Sequence, residues 1–151
     1  MSSVYVRTET KTFLAANSAE TVIDLTGMYD NIQDMVAAAG LTSKDPWVGL
    51  QFIGADEFPV TVGSTNVQGK YRETGAIYIH VVAMAKLSAS DGILSRGEVL
   101  RDLLRGERLG DRIVIKSVTP INFGEGATLS FEGGYISGSF IMEYEYEKDI
   151  I

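Results

Sequence analysis

Apolar and polar residues alternate with a period of two near the start of the chain. Residues 3–13 put valine and threonine on one parity and tyrosine, arginine, glutamate and lysine on the other. This pattern is typical of a half-buried strand. A turn signal at 17–18 and a short apolar run over 21–25 follow. We predict that residues 1–26 contain a β-hairpin, or an arm that adds a strand to a neighbouring subunit's sheet.

The same alternation returns at the other end, over residues 135–148. Its even positions are mostly apolar, and its odd positions are mostly serine or glutamate. The sequence predicts a long antiparallel strand with one buried face and one acidic face. Three glutamates recur on the acidic face, namely Glu143, Glu145 and Glu147. Their spacing of about 7 Å along a strand favours a solvated face or an electrostatic docking surface over a metal site.

Two stretches between these ends carry the three-to-four-residue spacing of amphipathic helices. The first covers residues 28–39 and ends before Gly40, and the second begins in the capping cluster 88–91 and ends at Gly106 or Gly110. The second helix bears a leucine-rich stripe that includes Leu100, Leu103 and Leu104. Each stripe predicts a helix packed against a sheet.

The remaining apolar runs predict further strands. Residues 46–53 alternate, a turn is expected at 54–57, and residues 58–62 return as an edge strand because they contain Pro59. Residues 76–84 are apolar on both parities, which indicates a central strand buried on both sides. Another strand is expected over 112–119, followed by a glycine-rich loop over 122–134.

Taken together, these elements predict one α+β domain over residues 1–151. We expect a mostly antiparallel or mixed β-sheet with two main helices packed on one face, plus the N-terminal hairpin or arm. No internal repeat and no linker long enough to divide the chain is evident in the sequence.

The amino-acid composition excludes several kinds of catalytic and metal-binding site. The chain has 151 residues, no cysteine and one histidine, His80. Thiol catalysis, cysteine zinc sites and multi-histidine metal sites are therefore excluded. The net charge of −7 disfavours non-specific nucleic-acid binding, and the sequence shows no signal-peptide pattern and no apolar run of membrane-spanning length. No dinucleotide, P-loop or metal-binding motif occurs.

His80 lies in the middle of the predicted central strand, and the neighbouring sequence offers no partner for a general base. We expect a packing role for it, with no catalytic, cofactor-binding or metal-binding residues and no cofactor. Two classes of function stay open: a structural or assembly protein, and a small-ligand binding module or enzyme.

The longest polar stretch, residues 63–75, contains two of the chain's basic residues, Lys70 and Arg72. With few apolar groups to offset the entropy of ordering, we expect residues 63–74 to be mobile in the isolated subunit. Docking of this loop on the acidic face at Glu143, Glu145 and Glu147 of a neighbour would order it on assembly.

From residue 66 onward the chain resembles a known family. The segment NVQGKYRETG leads into the strand AIYIHVVAM, the helix SASDGILSRGEVLRDLLRG, the strand RIVIKSVTPINFGEG and the closing strand GGYISGSFIMEYEYE. This order resembles the tail terminator, or tail completion, proteins of long-tailed, lambda-like bacteriophages. The helix end Leu103–Gly106 (LLRG) is similar to the family's LFRG-like helix end. Residues 1–26 do not match the family pattern.

The resemblance implies a structural virion protein, made in the host cytoplasm and located in the tail at the head–tail junction. It implies a homo-oligomeric ring, most often of six subunits, that caps the tail tube protein and stops its polymerisation. The ring would also offer the joining surface for the head–tail connector protein, and DNA would pass through it without sequence-specific binding. The alternative within the same class is a head–tail connector, neck or tail tube subunit.

Overall fold

A computed structural model describes residues 3–18, 20–26, 32–42, 45–59, 69–84, 89–110, 112–123 and 135–150. Along the chain the helices and strands are α1 (Val4–Asn17), β1 (Thr21–Asp24), α2 (Ile32–Ala38), β2 (Trp47–Pro59), β3 (Gly69–Met84), α3 (Ala89–Leu104), β4 (Arg108–Leu109), β5 (Ile113–Val118), β6 (Asn122–Phe123) and β7 (Tyr135–Ile150). The mixture of helices and one sheet confirms the α+β prediction.

The strands form one sheet in the order β1-β2-β3-β7-β5-β4, and β6 also pairs with β7. β1 is parallel to β2, and the other pairings among the described strands are antiparallel. At the centre, β3 and β7 pair along their whole length, from Gly69 opposite Ile150 to Met84 opposite Tyr135. The predicted central strand and the predicted long final strand are therefore neighbours.

The main core lies between one face of the sheet and the helices α1 and α3. The strands contribute alternate residues such as Ile77, Ile79 and Phe140, and the helices contribute residues such as Val6 and Leu100. Leu103 is only partly buried at the edge of this cluster. Each fully buried aliphatic side chain of this kind stabilises the fold by about 1.5–3 kcal/mol through the hydrophobic effect.

A second, smaller core lies on the opposite face of the sheet, where Val36 of α2 packs with Trp47 and Val82. The prediction that both main helices share one face is therefore wrong: α2 and α3 cover opposite faces. The physical reason is that β3 is apolar on both parities, so both of its faces need a cover. We call the face away from α1 and α3 the open face.

The predicted N-terminal hairpin or arm is also wrong, because residues 4–17 form helix α1. Val6, Thr10 and Leu14 recur every fourth residue and are all buried, so they form one helix stripe. Ser3 caps the helix by accepting a hydrogen bond from the Val6 amide, and the Thr10 hydroxyl donates to the Val6 carbonyl at 2.7 Å. The β-branched residues that suggested a strand are thus accommodated within a capped helix.

The predicted strand after α1 exists as β1, but it does not pair back on residues 3–13. It lies parallel to β2, with Thr21 opposite Trp47 and Asp24 opposite Leu50. Asp24 accepts hydrogen bonds from Arg7 at 2.8 Å and Lys11 at 3.2 Å, which join β1 to α1. Burial raises the pKa of Asp24, but the hydrogen bonds from Arg7, Thr26 and Lys11 outweigh it and leave the pKa below its ordinary value.

Two further predictions need correction. The turn at 54–57 is absent, because β2 continues to Pro59 with a register irregularity between Phe52 and Ala55. Residues 69–74 of the predicted mobile loop belong to β3 and pair with β7 on one side. Residues 60–68 lie outside the described residues, as do residues 124–134 of the predicted glycine-rich loop and residues 28–31 of the first predicted helix.

Gly40 and Gly106 follow helices with φ of 80° and 73°, as the sequence indicated.

Candidate functional site

The five predicted assembly residues lie on two neighbouring strands. Lys70 and Arg72 are in β3, and Glu143, Glu145 and Glu147 are in β7. Their register places Arg72 directly opposite Glu147 and Lys70 opposite Asp149. Basic and acidic residues that were predicted to meet between subunits are thus brought together within one subunit. The side chain of Lys70 lies outside the described residues.

We call this end of the sheet the charged ribbon: residues 55–59 of β2, 69–75 of β3 and 143–150 of β7. Arg72 Nη2 lies 2.6 Å from Glu147 Oε1, and Lys116 Nζ of β5 lies 2.9 Å from Glu145 Oε1. The hydrogen bond from Arg72 to Glu147 raises the pKa of the guanidinium above its ordinary value. Glu143 accepts a hydrogen bond from the Ser117 hydroxyl at 3.3 Å. The acidic face is therefore partly neutralised by its own sheet.

On its other side the charged ribbon is held by α1. Glu73 is 3% exposed. Its carboxylate accepts hydrogen bonds from the Ser3 amide at 3.3 Å and from the Tyr144 hydroxyl at 2.7 Å. The Tyr144 ring lies across Gly75, where an added Cβ would come within 2.6 Å of the Tyr144 hydroxyl oxygen. Tyr5 of α1 stacks on Tyr146 with ring centroids 4.8 Å apart. These contacts fix the register of the ribbon and leave its charged side outward.

At the opposite end of the open face a buried polar cluster surrounds His80. His80 Nδ1 lies 2.6 Å from Ser139 Oγ, and His80 Nε2 lies 3.4 Å from Gln51 Oε1. Because Gln51 offers a carbonyl oxygen, the proton is assigned to Nε2, and Nδ1 accepts from the Ser139 hydroxyl. The Tyr78 ring stacks against the imidazole with centroids 5.9 Å apart.

This arrangement corrects one sequence inference, because His80 does have positioned partners. They were missed because they lie 29 and 59 residues away in sequence and meet His80 only through strand register. No local motif signals such a meeting. The burial of His80 that the packing role required is confirmed, since the side chain is fully buried.

The chemistry available to this cluster is limited by burial, which lowers the pKa of His80 to about 4. A general base works best with a pKa near the operating pH, so this imidazole is a weak base toward Ser139 at neutral pH. A cleft of about 280 Å³ lies beside the cluster, lined by Tyr78, Thr119, Pro120, Asn122, Ser139, Phe140 and Ile141. The described residues that line it offer hydroxyl and amide groups and include no charged side chain.

Over the part of the chain that the structure describes, no three histidine or acidic side chains gather in a way that could hold a metal ion. Among those same residues, no helix has the length and hydropathy needed to cross a membrane. On the open face, the charged ribbon holds two of the ion pairs described above, whereas the His80 cluster is neutral.

No protein-family model matches the chain, and no curated protein matches it.

Proposed function

We propose that this protein is a structural subunit of a bacteriophage tail, a tail terminator that assembles into a ring on the end of the tail tube. In this role the ring ends tube polymerisation and presents the surface that joins the head connector. The described residues that resemble the tail terminator family include the centre of the sheet: AIYIHVVAM lies in β3, the two leucines of LLRG end α3, and YISGSFIMEYEYE of the closing segment lies in β7. The proposal assigns no enzymatic activity.

The observation that carries the proposal is the charged ribbon. β3 and β7 are each 16 residues long and continue past the His80 cluster into a segment whose open face carries charged and hydroxyl side chains together with the exposed ring of Phe58. The ion pairs Arg72–Glu147 and Lys116–Glu145 keep those side chains in fixed positions. A surface of this kind, rigid in backbone and polar in side chains, suits contacts with other protein subunits, which rest on charge complementarity.

The His80 cluster also supports a structural role, because its chemistry does not favour catalysis. Its histidine is held neutral by burial and is therefore a weak base toward Ser139, which lines the cleft but is only 5% exposed. The polar groups satisfy one another and thereby stabilise the sheet. The net charge of −7 suits a ring through which DNA passes, because acidic walls repel phosphates.

The experiment has two parts. Light scattering and electron microscopy of the purified protein should show a closed ring, most often of six subunits, at high concentration. Added to polymerising tail tube protein, the ring should stop tube growth and bind at tube ends, whereas a tube or connector subunit would not cap tubes. A protein that stays monomeric, forms no ring in virions and leaves tube length unchanged would contradict the proposal.

A further inference from the structure

Among the described strands, the sheet has an unpaired edge on each side. β1 covers only Trp47–Leu50 of β2, so residues 55–59 of β2 pair with β3 and with no other strand that the structure describes. At the far side, β4 is the last strand in the sheet order and pairs with β5. Unpaired edges of this kind attract other chains unless their side chains prevent it.

The two edges differ in net charge over the described residues: the β2 edge is acidic, whereas the region around β4 has three exposed arginines and one exposed glutamate, Glu107. Asp56 and Glu57 are exposed on the β2 edge. Arg108 and Arg112 are exposed around the β4–β5 turn, and Arg105 lies just before them at the end of α3. Within the described part of the chain, no salt bridge within 4.0 Å reaches Arg108 or Arg112. Neither arginine therefore has an ion-pair partner among the described residues, although the net charge of the chain is −7.

One cross-strand row connects the two edges. Asp56 lies opposite Thr74, Thr74 opposite Glu145, Glu145 opposite Val114, and Val114 opposite Arg108. Directly opposed residues in a sheet point to the same face, so the acidic and basic ends of this row project on the same side. Two copies laid edge to edge would therefore bring Asp56 of one copy to Arg108 of the next.

We propose that a second copy of this chain docks head to tail, with the acidic β2 edge of one copy against the arginines of the β4–β5 turn of the next. The charges select this arrangement, because acidic edge against acidic edge and basic edge against basic edge both repel. A head-to-tail contact is heterologous and closes into a ring when the rotation between copies allows it. This inference rests on the proposed ring and assigns the residues of its interface.

Charge swapping tests the inference directly. One variant carries Asp56→Lys and Glu57→Lys, which makes both edges basic, and the other carries Arg108→Glu and Arg112→Glu, which makes both edges acidic. Each variant alone should lose the assembled species at concentrations where the natural chain assembles. An equal mixture of the two should restore it, with the variants alternating, since every contact then joins unlike charges.

The matched control for the lysine variant is Asp91→Lys with Asp102→Lys, which makes the same change in charge on exposed positions of α3. It should assemble like the natural chain. Thermal melts must show that all variants fold, and the single variants Asp56→Lys and Arg108→Glu, which swap only the two ends of the row, replace any double variant that does not.

The outcomes separate the two proposals. If the natural chain assembles and both edge variants also assemble, the edge pairing is wrong and the proposed function stands. If only the arginine variant loses assembly and mixing does not restore it, the arginines serve a different anionic partner and the pairing is overturned. If the natural chain forms no assembly at any concentration and does not cap tubes, the proposed function and the edge pairing fail together.

Discussion

The two ends of the open face are built from the same three strands but are held together by different forces. At the His80 end, side chains are buried, neutral and bonded to one another, and α2 covers the adjoining surface. At the charged ribbon, ion pairs lie at the surface of the described structure, and α1 covers the opposite side. One continuous strand can thus combine a buried neutral region with a charged surface region.

The largest expected effect comes from breaking the covered part of the sheet. Leu100→Asp puts a charge into the main core, where Leu100 is 5% exposed, at a cost of several kcal/mol against a total stability of about 5–15 kcal/mol. We expect the variant to be unfolded by circular dichroism. The neighbouring Val99→Asp is the control, because Val99 is 59% exposed and should tolerate the charge. A normal melt for Leu100→Asp would show that α3 packs by another face.

The next effect concerns pH and the His80 end. The pKa of His80 is about 4 in the folded protein and about 6.5 when unfolded, so the unfolded chain takes up the proton first. Stability should be fully present above pH 6.5 and decline by about 3 kcal/mol as the pH falls toward 4. Urea melts across this range should show a shallower decline for His80→Gln, which keeps a polar partner for Ser139. Equal declines for both proteins would disprove the assignment.

A smaller effect should follow at the junction between α1 and the charged ribbon. Tyr144→Phe removes the hydroxyl that donates to the buried Glu73 and should cost about 1–2 kcal/mol. Hydrogen exchange in the first turn of α1 should accelerate, because Glu73 also binds the Ser3 amide. Tyr146→Phe, which retains the ring that stacks on Tyr5, serves as the control. Unchanged exchange in α1 would mean that Glu73 holds the helix without help from Tyr144.

The smallest effect on stability should come from the outward side of the ribbon. Lys116→Met removes the surface ion pair with Glu145, and exposed pairs of this kind contribute at most about 1 kcal/mol. The loss should shrink further at high salt, because ions screen exposed charges. A melting temperature far below that of the natural chain would mean that the ribbon's charges hold the sheet together. The two ends of the open face would then not differ in how much their polar contacts stabilise the fold.

Local patterns in the sequence predicted the elements whose spacing reflects burial. The long strand β7, the central strand β3 and the stripe of α3 follow from such spacing, because one face of each packs on a core. The helix α1 was misassigned because valine and threonine at alternate positions imitate a strand. The pattern that indicates the helix is the spacing of four residues between Val6, Thr10 and Leu14, which follow the capping residue Ser3.

The candidate site was predictable only in part. The alternation in β7 indicated the acidic face, but nothing local placed Arg72 opposite Glu147 or Ser139 beside His80. Such meetings depend on which strands become neighbours and in what register, and a one-residue shift would exchange the two faces. The length of β2 beyond Gly54 was missed for the same reason, since its pairing with β3 is a tertiary contact.

The pairing of β3 with β7 also determines when the sheet can form during folding. Partners in this central ladder are separated by roughly 50 to 80 residues of chain, and contacts of such long range slow the folding of a domain. During synthesis, β3 leaves the ribosome long before β7 exists, with its apolar residues on both faces uncovered. The described sheet is therefore complete only after β7 has been made.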